Sequence, residues 1–322
     1  MADRTIVFPA PGHTDRRLLA SASPALADYE WPYFAIRGAA DGPTLCVIAG
    51  IHGAEYPPID AVLRFSRAID PTALRGRIIA VPIANLPAFW TRTPFVCPAD
   101  AKNPNRAFPG DPHGTFSQAL AHLLFEAVIR RGDYLVDLHC GDLVEDLVPY
   151  CGVQQSGNER VDRSAVDLAV AFGLPYVCVE PPSGGAVAGT ADGAAGAAGI
   201  PAIYAEAGGI GQLRQGDVAL HLRGLHRVLL QLGMVEGRRE ALAAPTMLRE
   251  VVLVRAKQGG FFRKAVAAGD TMATGGLIGR MIDLWGDPLA EITSPVDGVA
   301  LFVTTSPAIG PDGLLIGIGI PG

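Results

Sequence analysis

The chain has 322 residues, 49% of them hydrophobic and 18% charged, with a formal net charge of −6. This is an ordinary globular composition, long enough for one large domain or for a large domain with a small one. The acidic balance argues against nucleic acid as a partner, and no run of like charges marks a tail or a membrane-surface helix.

The first twelve residues, MADRTIVFPAPG, lack the basic region, apolar stretch and cleavage site of a signal peptide. No segment reaches the roughly 18 uninterrupted apolar residues of a membrane span. Residues 5–40 mix short β-like runs with turns, and 44–49 (TLCVIA) read as a buried strand bounded by Gly-Pro and Gly. Helical spacing follows over 57–68, then a strand at 77–82 (RIIAVP) and a long polar loop at 84–114, a length that is usually functional. An amphipathic helix is expected over 117–130 and a buried strand over 134–139 (YLVDLH). A helix at 165–172, a strand at 176–179, a Gly/Ala-rich helix with flexible flanks within 184–200, a strand at 202–205 and a helix at 216–232 complete the pattern. Strands alternating with helices imply an α/β fold with a mostly parallel sheet and helices on both faces.

After residue 245 the texture changes to short β-rich runs such as REVVLVRA and GLLIGIGI, separated by Gly, Pro and Asp turns. This divides the chain into a domain at 1–245 and a small all-β domain at 246–322. The five cysteines (Cys46, Cys97, Cys140, Cys151, Cys178) are scattered, with no CxxC pair. They read as reduced thiols of a cytoplasmic enzyme.

There is no GxSxG elbow, no HExxH and no P-loop, and the GxGxxG at 317–322 has no helix after it. The informative segment is GIHGAE, residues 50–55, directly after the TLCVIA strand. In parallel α/β sheets, sites form at the carboxyl ends of strands. If a helix begins there, His52 and Glu55 share one face and both can reach a zinc ion, while Gly50 and Gly53 permit a sharp turn. Alone, HxxE fits a chance surface pair as well. His139 ends the YLVDLHCGD strand, where an unpartnered histidine is costly. Two His and one Glu, the last two separated by 84 residues, match a His₂Glu zinc site with an open position for water. Asp137 is either a partner of His139 or a strand-end cap.

Together these segments resemble the succinylglutamate desuccinylase/aspartoacylase family, which shares the zinc carboxypeptidase fold. Residues 85–110 (NLPAFWTRTPFVCPADAKNPNRAFPG) are similar to that family's arginine loop, and 202–209 (AIYAEAGG) to its strand with the catalytic glutamate. Residues 294–319 resemble the C-terminal β domain of its bacterial deacylase branch, which includes N-acetyl-diaminobutyrate deacetylases. The resemblance implies one Zn²⁺ on His52, Glu55 and His139, lowering the pKa of a water to about 7. It implies Glu206 as the proton carrier, Arg92 as the oxyanion's partner, and Arg106 with Asn105 as the clamp on a substrate carboxylate.

Three departures bear on the substrate. Asn103 stands where aspartoacylase-like members have Asp, residues 193–204 (GAAGAAGIPAIY) lack their Arg, and no Tyr follows Tyr204. N-acyl aspartate and succinylglutamate are therefore disfavoured, and a neutral or cationic amine is expected. Asp142, Glu145 and Asp146 could meet such a cation, or simply start a solvated helix. The C-terminal unit loosely resembles a lipoyl carrier, but none of the three lysines occupies a carrier hairpin. A role covering the active site or building a homo-oligomer interface is favoured.

The resulting expectation is a zinc-dependent hydrolase of linear amides, removing a small acyl group from an N-acyl amino acid or related amine. A carboxypeptidase acting on peptides or peptidoglycan stems, and a non-catalytic metal-binding module, are the alternatives.

Overall fold

A computed structural model describes residues 6–182 and 189–322. The chain runs through β1 (His13–Ala20), β2 (Glu30–Arg37), β3 (Ala40–Ala49), α1 (Tyr56–Ala68), β4 (Arg75–Val81), α2 (Leu86–Thr91) and α3 (Phe116–Ala127). It continues with β5 (Tyr134–Gly141), β6 (Glu145–Leu147), β7 (Tyr150–Gln154), α4 (Glu159–Phe172), β8 (Tyr176–Glu180), α5 (Ala191–Ala197), β9 (Ala202–Gly209) and α6 (Gln215–Gln231). The C-terminal region holds β10 (Thr246–Arg255), β11 (Gly260–Lys264), β12 (Thr271–Met272), β13 (Leu277–Ile282), β14 (Pro288–Thr293), β15 (Gly298–Thr304), β16 (Ala308–Ile309) and β17 (Leu314–Pro321). Of the stretch expected as a Gly/Ala-rich helix, the later part forms α5; residues 184–188 lie outside the described residues.

The alternation of side chains along each strand builds two cores, one on each face of the sheet. On β3, Cys46 and Ile48 point to one face and pack with α3 and α5; Leu45, Val47 and Ala49 point to the other, against α1, α4 and α6. The helices follow the same logic: Ile59, Val62 and Phe65 recur at helical spacing along α1 and are buried.

The sheet is mixed, where the sequence suggests mostly parallel. Along β1-β2-β4-β3-β5-β9-β7-β8, the pairs β3/β4, β3/β5, β5/β9 and β7/β8 are parallel, whereas β1/β2, β2/β4 and β7/β9 are antiparallel. The connection from β5 to β7 explains one reversal. It carries only the short β6 and no crossover helix, so the chain comes straight back in the opposite direction.

A run without helix or strand, residues 236–245, leads into the C-terminal β region. That region continues the large sheet: β10 pairs with β8 in parallel and with β17 antiparallel, and β6 pairs with β15. It also carries a four-stranded sheet, β14-β13-β11-β16, over a separate core that includes Phe262, Ile278, Met281 and Ile316. All five cysteines are buried and free. Among the described residues no helix is long and apolar enough to cross a membrane.

Candidate metal and catalytic site

His52 and Glu55 lie in the turn between β3 and α1, with the amide of Glu55 donating to the His52 carbonyl at 3.3 Å. The three-residue spacing works through this turn; α1 begins only at Tyr56, so the two residues do not share a helix face. Gly50 turns at φ +68°, and Gly53 lets the turn press against α2, since a Cβ there would stand 2.1 Å from the Phe89 nitrogen. His139 arrives from β5, and ligand atoms of all three side chains lie within 4.8 Å of one another. His52 Nδ1 is 2.8 Å from one Glu55 oxygen and His139 Nδ1 is 2.9 Å from the other. His52 is 9%, Glu55 1% and His139 3% exposed, so water compensates little of this charge.

The opposite ring nitrogens are also engaged. His52 Nε2 lies 3.1 Å from the Asn103 side-chain oxygen, and His139 Nε2 lies 2.9 Å from an Asp137 oxygen. Asn103 thus supplies the acceptor that its departure from the aspartoacylase pattern put in question, and Asp137 partners His139. With both Nε2–H groups donated outward, both Nδ1 lone pairs face an ionised carboxylate, an assignment inferred from the partners. Three electron-rich atoms in a dry pocket repel unless a cation joins them. Burial disfavours the charge on Glu55, yet His139 and His52 hold its pKa down to about 2. Burial likewise disfavours protonation of His139, but Asp137 and Glu55 hold its pKa well above the ordinary histidine range. The residues therefore fit a metal ion; without one, a proton on His139 takes its place.

Glu206 sits one strand away, in register with His139 across the parallel β5/β9 pair. Its Oε2 atom is buried and has no hydrogen-bond partner among the described residues. Burial pushes its pKa well above the carboxylate range; His139 opposes this and Glu55 reinforces it. Burial and Glu55 thus raise the proton affinity of this carboxylate above that of a free one, which suits a group that takes up a proton.

Glu206 and His139 line a cavity of about 930 Å³. Its sheet-side wall includes Tyr150, Gln154, Glu180 and Tyr204, and Glu250, Arg255, Phe302 and Leu314 close it from the C-terminal region. Asn105 and Arg106 enter from the loop before α3. Asn105 accepts from the Ala191 amide and holds its amide nitrogen 3.4 Å from His139 Nε2. Arg106 donates to the Asn105 carbonyl; burial lowers its pKa, opposed by Asp192, Tyr204 and Glu180.

Two expected site residues sit differently. Asp142 does not line the cavity; its oxygens accept from the Phe95 and Leu143 amides, anchoring the loop that carries Phe95. Arg92 is exposed and ends α2 in the left-handed conformation at φ 56°, near Tyr56. The acidic run after His139 starts no helix: residues Glu145–Leu147 form a strand paired with β15, and Glu145 faces the cavity. Sequence reasoning missed Glu180, Tyr204, Asp192 and Gln154. Glu180 was findable, because it ends a buried strand in the way His139 does. Asp192 and Gln154 carry no comparable local signal.

A family model for the succinylglutamate desuccinylase/aspartoacylase catalytic domain matches residues 41–232. An N-α-acetyl-L-2,4-diaminobutyric acid deacetylase from Halomonas elongata is 29% identical over 265 residues, covering 80% of this chain and 77% of that protein. The product-bound ectoine utilization protein EutE (DoeB) from Ruegeria pomeroyi superposes with a TM-score of 0.89 at 24% identity, covering 99% of each chain. A succinylglutamate desuccinylase/aspartoacylase from Rhodobacter sphaeroides superposes with a TM-score of 0.88 at 26% identity, covering 100% of this chain and 99% of the other. The chain therefore belongs to the succinylglutamate desuccinylase/aspartoacylase family.

Proposed function

We propose that this protein is a zinc-dependent deacylase that hydrolyses the amide of a small N-acyl amino acid. The observation that carries the reading is the convergence of two histidine Nδ1 atoms on Glu55, with Glu206 in register beside them. His52, Glu55 and His139 would hold one zinc ion, which supplies Lewis acidity toward the amide carbonyl and the attacking water.

The chain's own residues do the rest. Asn103 and Asp137 orient the two imidazoles. Glu206 takes a proton from the attacking water and returns it to the departing amine, which its raised proton affinity permits. Arg106, which lines the cavity, takes a substrate carboxylate with its planar fork, and Asn105 fixes the loop that presents it. Arg92, beside Tyr56, is the cation proposed to approach the developing oxyanion. Asp142 acts by holding the Phe95 loop.

We assign residues 1–245 to the catalytic unit and 246–322 to a wall over its cavity. That wall, with Glu250, Arg255 and Phe302, favours a small substrate over a peptide and so disfavours the carboxypeptidase alternative. A small N-acyl substrate also agrees with the activity named for the Halomonas relative. Five free, buried thiols fit a reducing, cytoplasmic setting. The test is amine release from N-acyl amino acids and short peptides, with zinc-loaded and chelator-treated protein. Zinc-dependent release from N-acyl amino acids is expected. Release from peptides alone would move the assignment to a carboxypeptidase, and none from either would leave a metal-binding module.

A further inference from the structure

The strands around the cavity close into a ring. β9 pairs with β7, β7 with β8, β8 with β10, β10 with β17, β17 with β15 and β15 with β6. β6 then returns to the end of β9, where the Ile210 amide donates to the Glu145 carbonyl at 3.0 Å. The deacylation chemistry draws on one arc of this ring, β9 with the loop that carries Arg106. The arc β10-β17-β15-β6 has no part in it.

Strand register lays one row of side chains across that arc. Leu253 on β10 stands opposite Gly317 on β17, Gly317 opposite Phe302 on β15, and Phe302 opposite Leu147 on β6. Residues directly opposite in paired strands share a face. Leu253, Phe302 and Leu147 all line the cavity, so the shared face is the inner one. Gly317 leaves the row open, since a Cβ there would stand 2.3 Å from Cε1 and Cζ of Phe302. The phenyl ring therefore lies over β17 and fills the gap toward Leu253. Three strand spacings separate the two ends of the row, a span of roughly 14 Å.

The row is apolar and open to the cavity. Leu253 is 39% exposed, and Phe302 and Leu147 are half-buried. Polar groups beside it on the C-terminal strands are already engaged. Arg255 donates to the Asp312 carbonyl at 2.9 Å, and the Thr304 hydroxyl donates to the Leu314 carbonyl at 2.8 Å. Glu145 and Glu250 flank the row. Across the ring the wall is polar, with Tyr204 donating to Glu180 and Arg106 beside them. A contiguous apolar surface inside a ligand-sized cavity, next to a few polar groups, marks where an apolar part of a ligand leaves water.

We propose that the Leu253–Phe302–Leu147 row binds an apolar substituent of several carbons on the substrate, carried by its acyl group or by its amino-acid side chain. The inference rests on the deacylase reading and deepens it: the substrate class becomes N-acyl amino acids with an uncharged aliphatic or aromatic group beyond the scissile amide.

The test measures kcat/KM of zinc-loaded protein on two series. One lengthens the side chain, from N-acetyl-alanine to N-acetyl-norvaline and N-acetyl-norleucine. The other lengthens the acyl group on alanine, from acetyl to pentanoyl. Wild type should gain about threefold per added methylene, roughly 30-fold over three, in the series whose chain the row holds. A gain in the first series assigns the row to the side chain, and a gain in the second assigns it to the acyl group. In Phe302→Ala and in Leu253→Gln the gain over three methylenes should shrink to a few-fold. Leu253 is exposed, so Leu253→Gln tests the row even if Phe302→Ala does not fold. Flat response of wild type in both series, or gains unchanged in Leu253→Gln and in folded Phe302→Ala, would overturn the assignment and leave the deacylase standing. Calorimetry with free alanine and norleucine, and with acetate and pentanoate, reads the row without turnover. Chain-length-dependent binding that Leu253→Gln weakens, with no hydrolysis of any N-acyl derivative, would uphold the row and overturn the reaction.

Discussion

The side-chain oxygen of Asn103 lies 3.1 Å from His52 Nε2, and the same oxygen accepts the Asn105 amide at 2.8 Å. One neutral acceptor thus orients a proposed metal ligand and caps the turn that delivers Asn105 and Arg106. Removing it in Asn103→Ala should weaken metal binding by about 10- to 100-fold, the usual range for a group that orients a ligand histidine. Asn103→Asp adds charge at the same place and should retain or tighten binding. Competition titration against a chelator measures both; equal affinity in all three proteins would remove Asn103 from the metal site.

Glu206→Gln keeps the shape of the side chain but cannot carry a proton. Turnover should fall by roughly 10²–10⁴-fold while zinc content and thermal stability stay near wild type. Amine release with metal analysis of the same preparations checks this. Activity within a few-fold of wild type would take the proton-carrying role from Glu206.

Metal binding should release protons. In the metal-free site, Asp137 and Glu55 hold the proton of His139 well above the ordinary histidine range. An incoming ion must displace that proton, so apparent affinity should rise by up to about tenfold per pH unit across the neutral range. Zinc titrations at pH 6, 7 and 8 test the sign; an affinity independent of pH would contradict it.

Asp192, which lines the cavity without being a proposed metal ligand, gives a stability test. Burial, then Asp137 and Glu180, push its pKa up to about 6 against the pull of Thr190 and Gly193. The folded value lies above the unfolded one of about 3.9, so its contribution to stability is fully present below pH 4 and is lost as pH rises through 6. Asp192→Asn cannot ionise. Its advantage over wild type should be near zero at pH 4 and on the order of 2 kcal/mol at pH 7.5. Urea denaturation at the two pH values measures it.

Gly53→Ala places a Cβ 2.1 Å from the Phe89 nitrogen, a backbone atom that cannot move aside without shifting α2. A loss of roughly 1–3 kcal/mol is expected, with weaker metal binding because His52 rides on the same turn. Calorimetric unfolding of the metal-free variant separates the two effects.

Local sequence sufficed for most of the strands and helices and for singling out His52, Glu55 and His139, which the fold brings together. TLCVIA and YLVDLH are apolar runs bounded by turn residues, and a histidine or glutamate ending such a strand is conspicuous against its neighbours. The chemistry at those positions is carried by single residues at strand ends, so the pattern survives in one dimension. Strand direction at β2 and β7 was not legible, because apolar alternation is the same in a parallel and an antiparallel neighbour. The far wall of the cavity was equally hidden. Glu180, Gln154, Tyr204 and Asp192 come from four elements, and only strand pairing across β9, β7 and β8, with α5 and the C-terminal β region closing over them, brings them to one space. Asn103 reaches His52 across 51 residues of sequence for the same reason: long-range contacts are set by packing of the sheet and its loops, which no local periodicity encodes.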